Sequence, residues 1–200
     1  MLQWFFDNYL EIIGAVSGLL YLYFSVKQNI WLWPVGLITS AFYIIVFYNS
    51  QLYADMSLNI YYLIISIYGW RHWLLRKDNV YHKSIKISSL EPKEWTIYLA
   101  TATIITIAIG LILVNIPQKL GFKPSSVPWW DAFLTAGSIV ATWMLARKII
   151  EQWLWWILID AISVGVFFYK GLYSTVILFV VNTLIAIIGY IKWKNDLQRQ

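Results

Sequence analysis

Cysteine is absent, which excludes disulfides, thiolate metal sites and cysteine nucleophiles. Histidine occurs only as His72 and His82, too little for a histidine metal centre. Charge is scarce as well. Asp, Glu, Lys and Arg make up 12% of the 200 residues, against about a quarter in a water-soluble domain. What remains is apolar: hydrophobic residues reach 60%, mean hydropathy is +0.63, and aromatics reach 18%, with 13 Trp and 14 Tyr. Abundant Trp and Tyr suit a chain with two membrane interfaces to anchor. These proportions describe a polytopic membrane protein.

A hydrocarbon core about 30 Å thick needs roughly 20 apolar residues per helix. Seven stretches qualify: Leu10 to Val26, Trp31 to Tyr48, Leu52 to Leu75, Trp95 to Asn115, Trp129 to Ala146, Trp153 to Tyr169 and Leu172 to Trp193. The first is flanked by Asp7 and Glu11 rather than a basic region, and no small-residue cleavage site follows, so it reads as a retained helix. Connections within the first three and the last three helices are a few residues long, which requires antiparallel hairpins. Two longer polar segments, Arg76 to Glu94 and Pro117 to Pro128, isolate the fourth helix. The expected fold is therefore an all-α membrane protein with seven transmembrane helices. Residues 1–75 form a first three-helix bundle. Residues 76–128 hold a cytoplasmic loop, a linker helix and an outer loop, and residues 129–200 form a second bundle with a cytoplasmic tail.

Of the 15 Lys and Arg residues, 12 fall on one side of these spans: Lys27, six between Arg71 and Lys93, Arg147, Lys148, and the tail residues Lys192, Lys194 and Arg199. An excess of basic residues marks the cytoplasmic side. This predicts an N-terminus outside and a C-terminus in the cytoplasm. The net charge of +5 is thus a topology signal, and no nucleic-acid partner is expected.

Shifting the chain by 120 residues aligns the first three helices with the last three without a gap. Lys27 falls on Arg147, Trp33 on Trp153, Leu52-Tyr53 on Leu172-Tyr173, Gly69 on Gly189, Trp73 on Trp193 and Glu11 on Asp131. Three helices and one linker make four crossings, so both copies enter from the same face. That predicts parallel repeats about an axis along the membrane normal, with a substrate site near the midplane.

Polar side chains at that depth are costly and mark function. Asp160 lies near the middle of the sixth helix and reads as a countercharge for a cationic ligand, a proton site, or a hydrogen-bonded packing residue. Trp153, Trp156, Asp160 and Ser163 share one helical face. Two indoles beside a carboxylate can sandwich a flat cation, although Trp153 and Trp155 also fit an interfacial belt, and Trp156 lies deeper. Further candidates are Asn59, Tyr62 and Ser66 on helix three, and Asp131, Thr135, Ser138 and Thr142 on helix five. Asn182 on helix seven and Thr39, Ser40 and Tyr43 on helix two complete the set. Ser and Thr in such helices commonly serve packing.

LYADMSLNIYYLIISIYGWRHW from Leu52 to Trp73 resembles the third core helix of the Pnu-type vitamin transporters. WLWWILIDAISVGVFFYKGLY from Trp153 to Tyr173 resembles their WxxWxxx(N/D) helix, and PWWDAF from Pro128 to Phe133 their WD element. The resemblance covers nearly the whole chain. It implies a bacterial inner-membrane uniporter that moves a vitamin by facilitated diffusion, with a cytoplasmic kinase trapping the product, and a possible homotrimer. It also implies a site that includes Asn59, Trp130, Asp131, Trp153, Trp156 and Asp160. Nicotinamide riboside members carry Gln and Asn where Asn59 and Asp160 stand, so the chain looks closer to the thiamine-type branch. The expectation is thus thiamine uptake by alternating access, with nicotinamide riboside or a proton-coupled version as the alternative. The expected substrate-binding set is Asn59, Tyr62, Trp130, Asp131, Ser138, Trp153, Trp156, Asp160 and Asn182, with no cofactor, no metal and no enzymatic activity. A retinal protein would need a mid-membrane Lys, and helix seven offers only Lys192 at its end. A membrane enzyme would need clustered acids, and here they are scattered.

Overall fold

The computed structural model describes residues 9–49, 53–75, 85–120 and 125–200. The expected basic cluster at Arg76, Lys77 and Lys83, with His82 and Lys123, lies outside the described residues, as do Asp7 and Leu52. Among the described residues the chain forms seven helices and no strand: α1 Tyr9–Val26, α2 Leu32–Asn49, α3 Tyr53–Leu75, α4 Pro92–Leu120, α5 Pro128–Ala146, α6 Gln152–Tyr169 and α7 Tyr173–Gln198. α2, α4, α6 and α7 are long and apolar enough to cross a membrane. α4 and α7 run past the apolar stretches read from the sequence. α4 starts at Pro92, where the missing N–H is harmless, and the Glu91 N–H donates to the Glu94 carboxylate at 2.9 Å, as in a capping box. Ile97 and Ile104 on α4 and Ile177 and Ile188 on α7 stay exposed, as lipid-facing side chains do.

The chain divides into two compact units, Met1–Ile85 and Lys86–Gln200. In the first, α2 packs on both α1 and α3. In the second, α4 packs on α5, α5 on α6, and α6 on α7, so the helix expected as a linker is a packed member of the second unit.

The 120-residue repeat is present in backbone and packing alike. In the α1–α2 connection Gln28 takes φ 54°, and in the α5–α6 connection Lys148 takes φ 56°. Both occupy the left-handed region, which costs a non-glycine residue roughly 1–2 kcal/mol. The Asn29 N–H donates to the Phe24 carbonyl at 2.8 Å, and the Ile149 N–H to the Met144 carbonyl at 3.0 Å. Trp33 and Trp153 likewise donate their N–H to Ile30 and Ile150, each at 3.1 Å. Past the hairpin, Trp33 meets Trp73 edge-on at 5.4 Å and 89°, and Trp153 meets Trp193 at 5.8 Å and 84°. Each indole lies flat on a glycine. A Cβ on Gly69 would sit 2.5 Å from the Trp33 ring, and one on Gly189 2.6 Å from the Trp153 ring. The matched Gly and Trp positions are therefore the knob and hole that fix each helix pair.

One connection breaks the symmetry. In the second unit the segment before α4 is strapped to the α5–α6 hairpin. Ser88 donates its N–H to the Lys148 carbonyl at 3.1 Å and accepts from Ile150 at 3.0 Å, a parallel bridge. Glu151 accepts from the Ser89 hydroxyl and from the Leu90 N–H at 3.1 Å. The residue matching Glu151 in the first unit is Trp31, which is exposed.

Candidate functional site

α6 is apolar almost all round, so its periodicity does not tell which face is internal. Its contacts do. α5 approaches on the Trp155–Ile159 side, where a Cβ on Gly137 would sit 2.9 Å from Ile159 Cδ1 and 3.6 Å from Trp155 Cε3. α7 approaches on the Trp153 side, through Gly189 and Trp193. At about 100° of rotation per residue, Trp156, Asp160 and Ser163 fall between those two directions. Asp160 is 5% exposed and Ser163 2%, and Trp156 is half-buried at the edge of the apolar cluster around Trp155 and Ile159. The Asp160 carboxylate accepts no hydrogen bond among the described residues. A buried carboxylate at the centre of a membrane helix costs about 2.5–3.5 kcal/mol on insertion scales, so an unpartnered one is a standing demand for a cation or a proton.

α7 supplies a neighbour. Asn182, Ala186, Gly189 and Trp193 follow the 4-3-4 spacing of one helical stripe, the stripe that packs on α6. Two contacts set the antiparallel register: Trp153 on Gly189, and Phe167 stacked on Phe179 at 5.1 Å and 9°. That register puts half-buried Asn182 level with residues 160–164 of α6, the depth of Asp160 and Ser163.

α5 contributes hydroxyls whose protons are already committed. Thr135, Ser138 and Thr142 donate to the carbonyls of Asp131, Leu134 and Ser138 at 2.8, 2.8 and 2.7 Å. They keep lone pairs for a donor. α4 meets α5 through Trp129, which lies against Gly110. Ser138 stands nine residues from Trp129, about 180° around the helix, so it faces away from α4. Through the Gly137 contact it lies near the level of Trp156.

The remaining expected residues are placed elsewhere. Trp153 is 1% exposed and fills the α6–α7 interface, as Trp33 fills its own, so its ring has a packing task. Asp131 has both oxygens engaged: Lys170 Nζ approaches Oδ1 at 3.3 Å, and the Ser125 hydroxyl donates to Oδ2. By register it sits about one helical turn farther than Asp160 from the α5–α6 connection. Trp130 borders a separate pocket of about 340 Å³ with Ala161, Ile162, Gly165, Val166 and Tyr169. Ala161 and Gly165 lie about 100° or more around α6 from Asp160, so Trp130 and Asp160 occupy different faces.

Asn59 and Tyr62 belong to the first unit. Both are half-buried; the Asn59 amide donates to the Asp55 carbonyl at 2.9 Å, and the Tyr62 carbonyl accepts from Ser66 at 2.7 Å. The positions matching Trp156, Asp160 and Ser163 are Gly36, Ser40 and Tyr43. That face is already filled: a Cβ on Gly36 would stand 3.0 Å from both Tyr21 and Ser66. The carboxylate chemistry of this α2/α6 face is therefore confined to the second copy. No group of three or more metal-ligating side chains occurs among the described residues. The sequence marked Lys148 only as a topology charge and gave no sign that it is buried in the hairpin with Glu151 and Gln152. The mismatch of Gln152 with Leu32 in the repeat alignment was a visible signal for Gln152.

A family model described as nicotinamide mononucleotide transporter matches residues 8–195. The nicotinamide riboside transporter PnuC of Escherichia coli (strain K12) is 29% identical over 208 residues, covering 94% of this chain and 86% of its own. The riboflavin/roseoflavin transporter RibM of Streptomyces davaonensis is 25% identical over 191 residues, covering 94% and 87%. The crystal structure of a vitamin B3 transporter PnuC superposes with a TM-score of 0.74 at 24% identity, over 96% of this chain and 83% of that one. The last likeness speaks for the fold. The names of the two sequence relatives point to nicotinamide riboside and riboflavin, and give no support to the thiamine-type branch.

Proposed function

Because the chain belongs to the nicotinamide mononucleotide transporter family, and is therefore a multi-pass membrane transporter of a small-molecule vitamin rather than an enzyme, we propose that it carries nicotinamide riboside. Uptake is by facilitated diffusion and alternating access across a bacterial inner membrane. The relatives' names support this substrate over thiamine. The observation that carries it is the buried Asp160 carboxylate beside Trp156, which accepts no hydrogen bond among the described residues. The pyridinium ring of the riboside is a flat cation with a fixed charge. It stacks on Trp156, with a gain of about 0.5–2 kcal/mol for a desolvated cation–π contact, while Asp160 balances its charge. Asn182 and Ser163 then offer the carboxamide and ribose hydroxyls their hydrogen bonds. Ser138 accepts from a hydroxyl on the α5 side.

Thiamine is the second reading, favoured by the residues at Asn59 and Asp160. Its thiazolium is also a permanent cation, so Asp160 serves both. Trapping by a cytoplasmic kinase, an outside N-terminus with a cytoplasmic C-terminus, and a homotrimer belong to the same proposal. Isothermal titration of detergent-purified protein tests it. Binding of nicotinamide riboside that weakens in Asp160→Ala supports it. An absence of binding by the folded wild type discards it.

A further inference from the structure

Gln152, the first residue of α6, is 0% exposed, and neither its amide oxygen nor its amide nitrogen has a hydrogen-bond partner among the described residues. Leaving a buried amide unpaired costs about 1–3 kcal/mol for each polar group. Packing does not require the expense. The matching residue of the first unit is Leu32, also 0% exposed in the same hairpin geometry. Nor does the hairpin need Gln152 as a tether, because Glu151 already holds Ser89 and Leu90. A polar group has thus replaced leucine at a position where the fold rewards leucine.

Its place on the helix gives the reason. Gln152, Trp156, Asp160 and Ser163 are spaced 4, 4 and 3, within an arc of about 80° on one face of α6. The stripe runs from mid-depth, where the vitamin is proposed to bind, to the hairpin end of the helix, cytoplasmic by the distribution of Lys and Arg. We propose that Gln152 is the inner contact of the transport path, meeting the substrate when it leaves Trp156 and Asp160 toward the cytoplasm. Its primary amide donates and accepts at once, which matches the carboxamide of a nicotinamide ring. In the structure its amide is buried and has no hydrogen-bond partner among the described residues. This inference rests on the transport reading above, but it is tested separately from the choice of substrate.

Because the chain has no cysteine, Gln152→Cys and Leu32→Cys each carry a single thiol. Both are exposed, in the full-length protein in membrane vesicles, to a membrane-impermeant maleimide on the side of the C-terminus. Gln152→Cys is expected to label as the inner end opens, and Leu32→Cys to stay unlabelled. Equal labelling of the two, or none of either, overturns the proposal. Gln152→Leu copies the first unit and is expected to melt at or above the wild-type temperature. Its uptake of nicotinamide riboside into proteoliposomes should fall roughly fivefold to tenfold, the loss of one neutral hydrogen bond. Wild-type uptake by that variant also overturns the proposal. Labelling requires no ligand: labelled Gln152→Cys in a protein that does not bind nicotinamide riboside keeps the path and discards the substrate, whereas binding without labelling does the reverse.

Discussion

Replacing Asp160 with alanine removes a carboxylate that is 5% exposed and accepts no hydrogen bond among the described residues. Two effects of opposite sign follow. Without ligand, the helix sheds a central charge worth about 2.5–3.5 kcal/mol on insertion scales, so the variant should melt no lower than wild type despite the small void it leaves. With nicotinamide riboside bound as proposed, the pyridinium loses its countercharge. A hydrogen bond or close contact to a charged group contributes about 1.5–3 kcal/mol, which predicts a dissociation constant larger by roughly 10- to 150-fold. Titration calorimetry gives the affinity and a thermal melt gives the stability. Reducing the ring to its neutral dihydropyridine form completes a double-mutant cycle. The neutral ligand should bind wild type and variant with similar affinity, because there is no charge left to balance. Unchanged affinity for the cation in a folded Asp160→Ala protein, or an equal loss for the neutral ring, would refute the reasoning.

Other outcomes follow from the packing. Gly69→Ala and Gly189→Ala drive a methyl to 2.5 and 2.6 Å from the Trp33 and Trp153 rings, so each should lower stability by about 1–3 kcal/mol in a thermal melt. Gly165→Ala meets nothing within 4 Å and should be neutral or stabilising by up to about 1 kcal/mol in the same melt. Burial of Lys148 lowers its pKa from 10.5 to about 8. The unfolded chain therefore binds the extra proton between those values, and stability rises with pH across that window. Relative to wild type, Lys148→Met should therefore lose ground as pH rises from 8 to 10.5, by at most about 3 kcal/mol in melts of both proteins; a gap that does not change with pH would contradict it. Lys170→Met breaks the 3.3 Å ion pair with Asp131, whose side chains are 24% and 31% exposed. It should cost no more than about 1 kcal/mol in a melt at low salt.

The helices and their hairpins were legible in the sequence because a membrane span needs a long apolar run, and because the repeat fixes which runs correspond. The ends of α4 and α7 were less so, since a helix continues past the hydrocarbon wherever a cap such as Glu91–Glu94 or a helix-forming tail supports it. The polar and aromatic residues of the candidate site were legible in the sequence, and their arrangement was not. Spacing put Trp153, Trp156 and Asp160 on one face, but only the contact with Gly189 shows the Trp153 ring occupied by packing. The family resemblance grouped Trp130 with Asp131 in one site. One lines a pocket with Ala161 and Gly165, while the other is held by Lys170 and Ser125. Such pairings join residues tens of positions apart, which no local period encodes. The strap of Ser88 to Lys148 and Ile150 looked like charged loop for the same reason.

The proposed transport of a flat vitamin cation along the Asp160 face of α6 is tested most directly by titrating the purified wild-type protein with nicotinamide riboside, thiamine and riboflavin side by side. Tightest binding by nicotinamide riboside, with neutral riboflavin weakest, is the predicted order. Preferential binding of riboflavin, or no binding of any of the three by folded protein, would contradict the account.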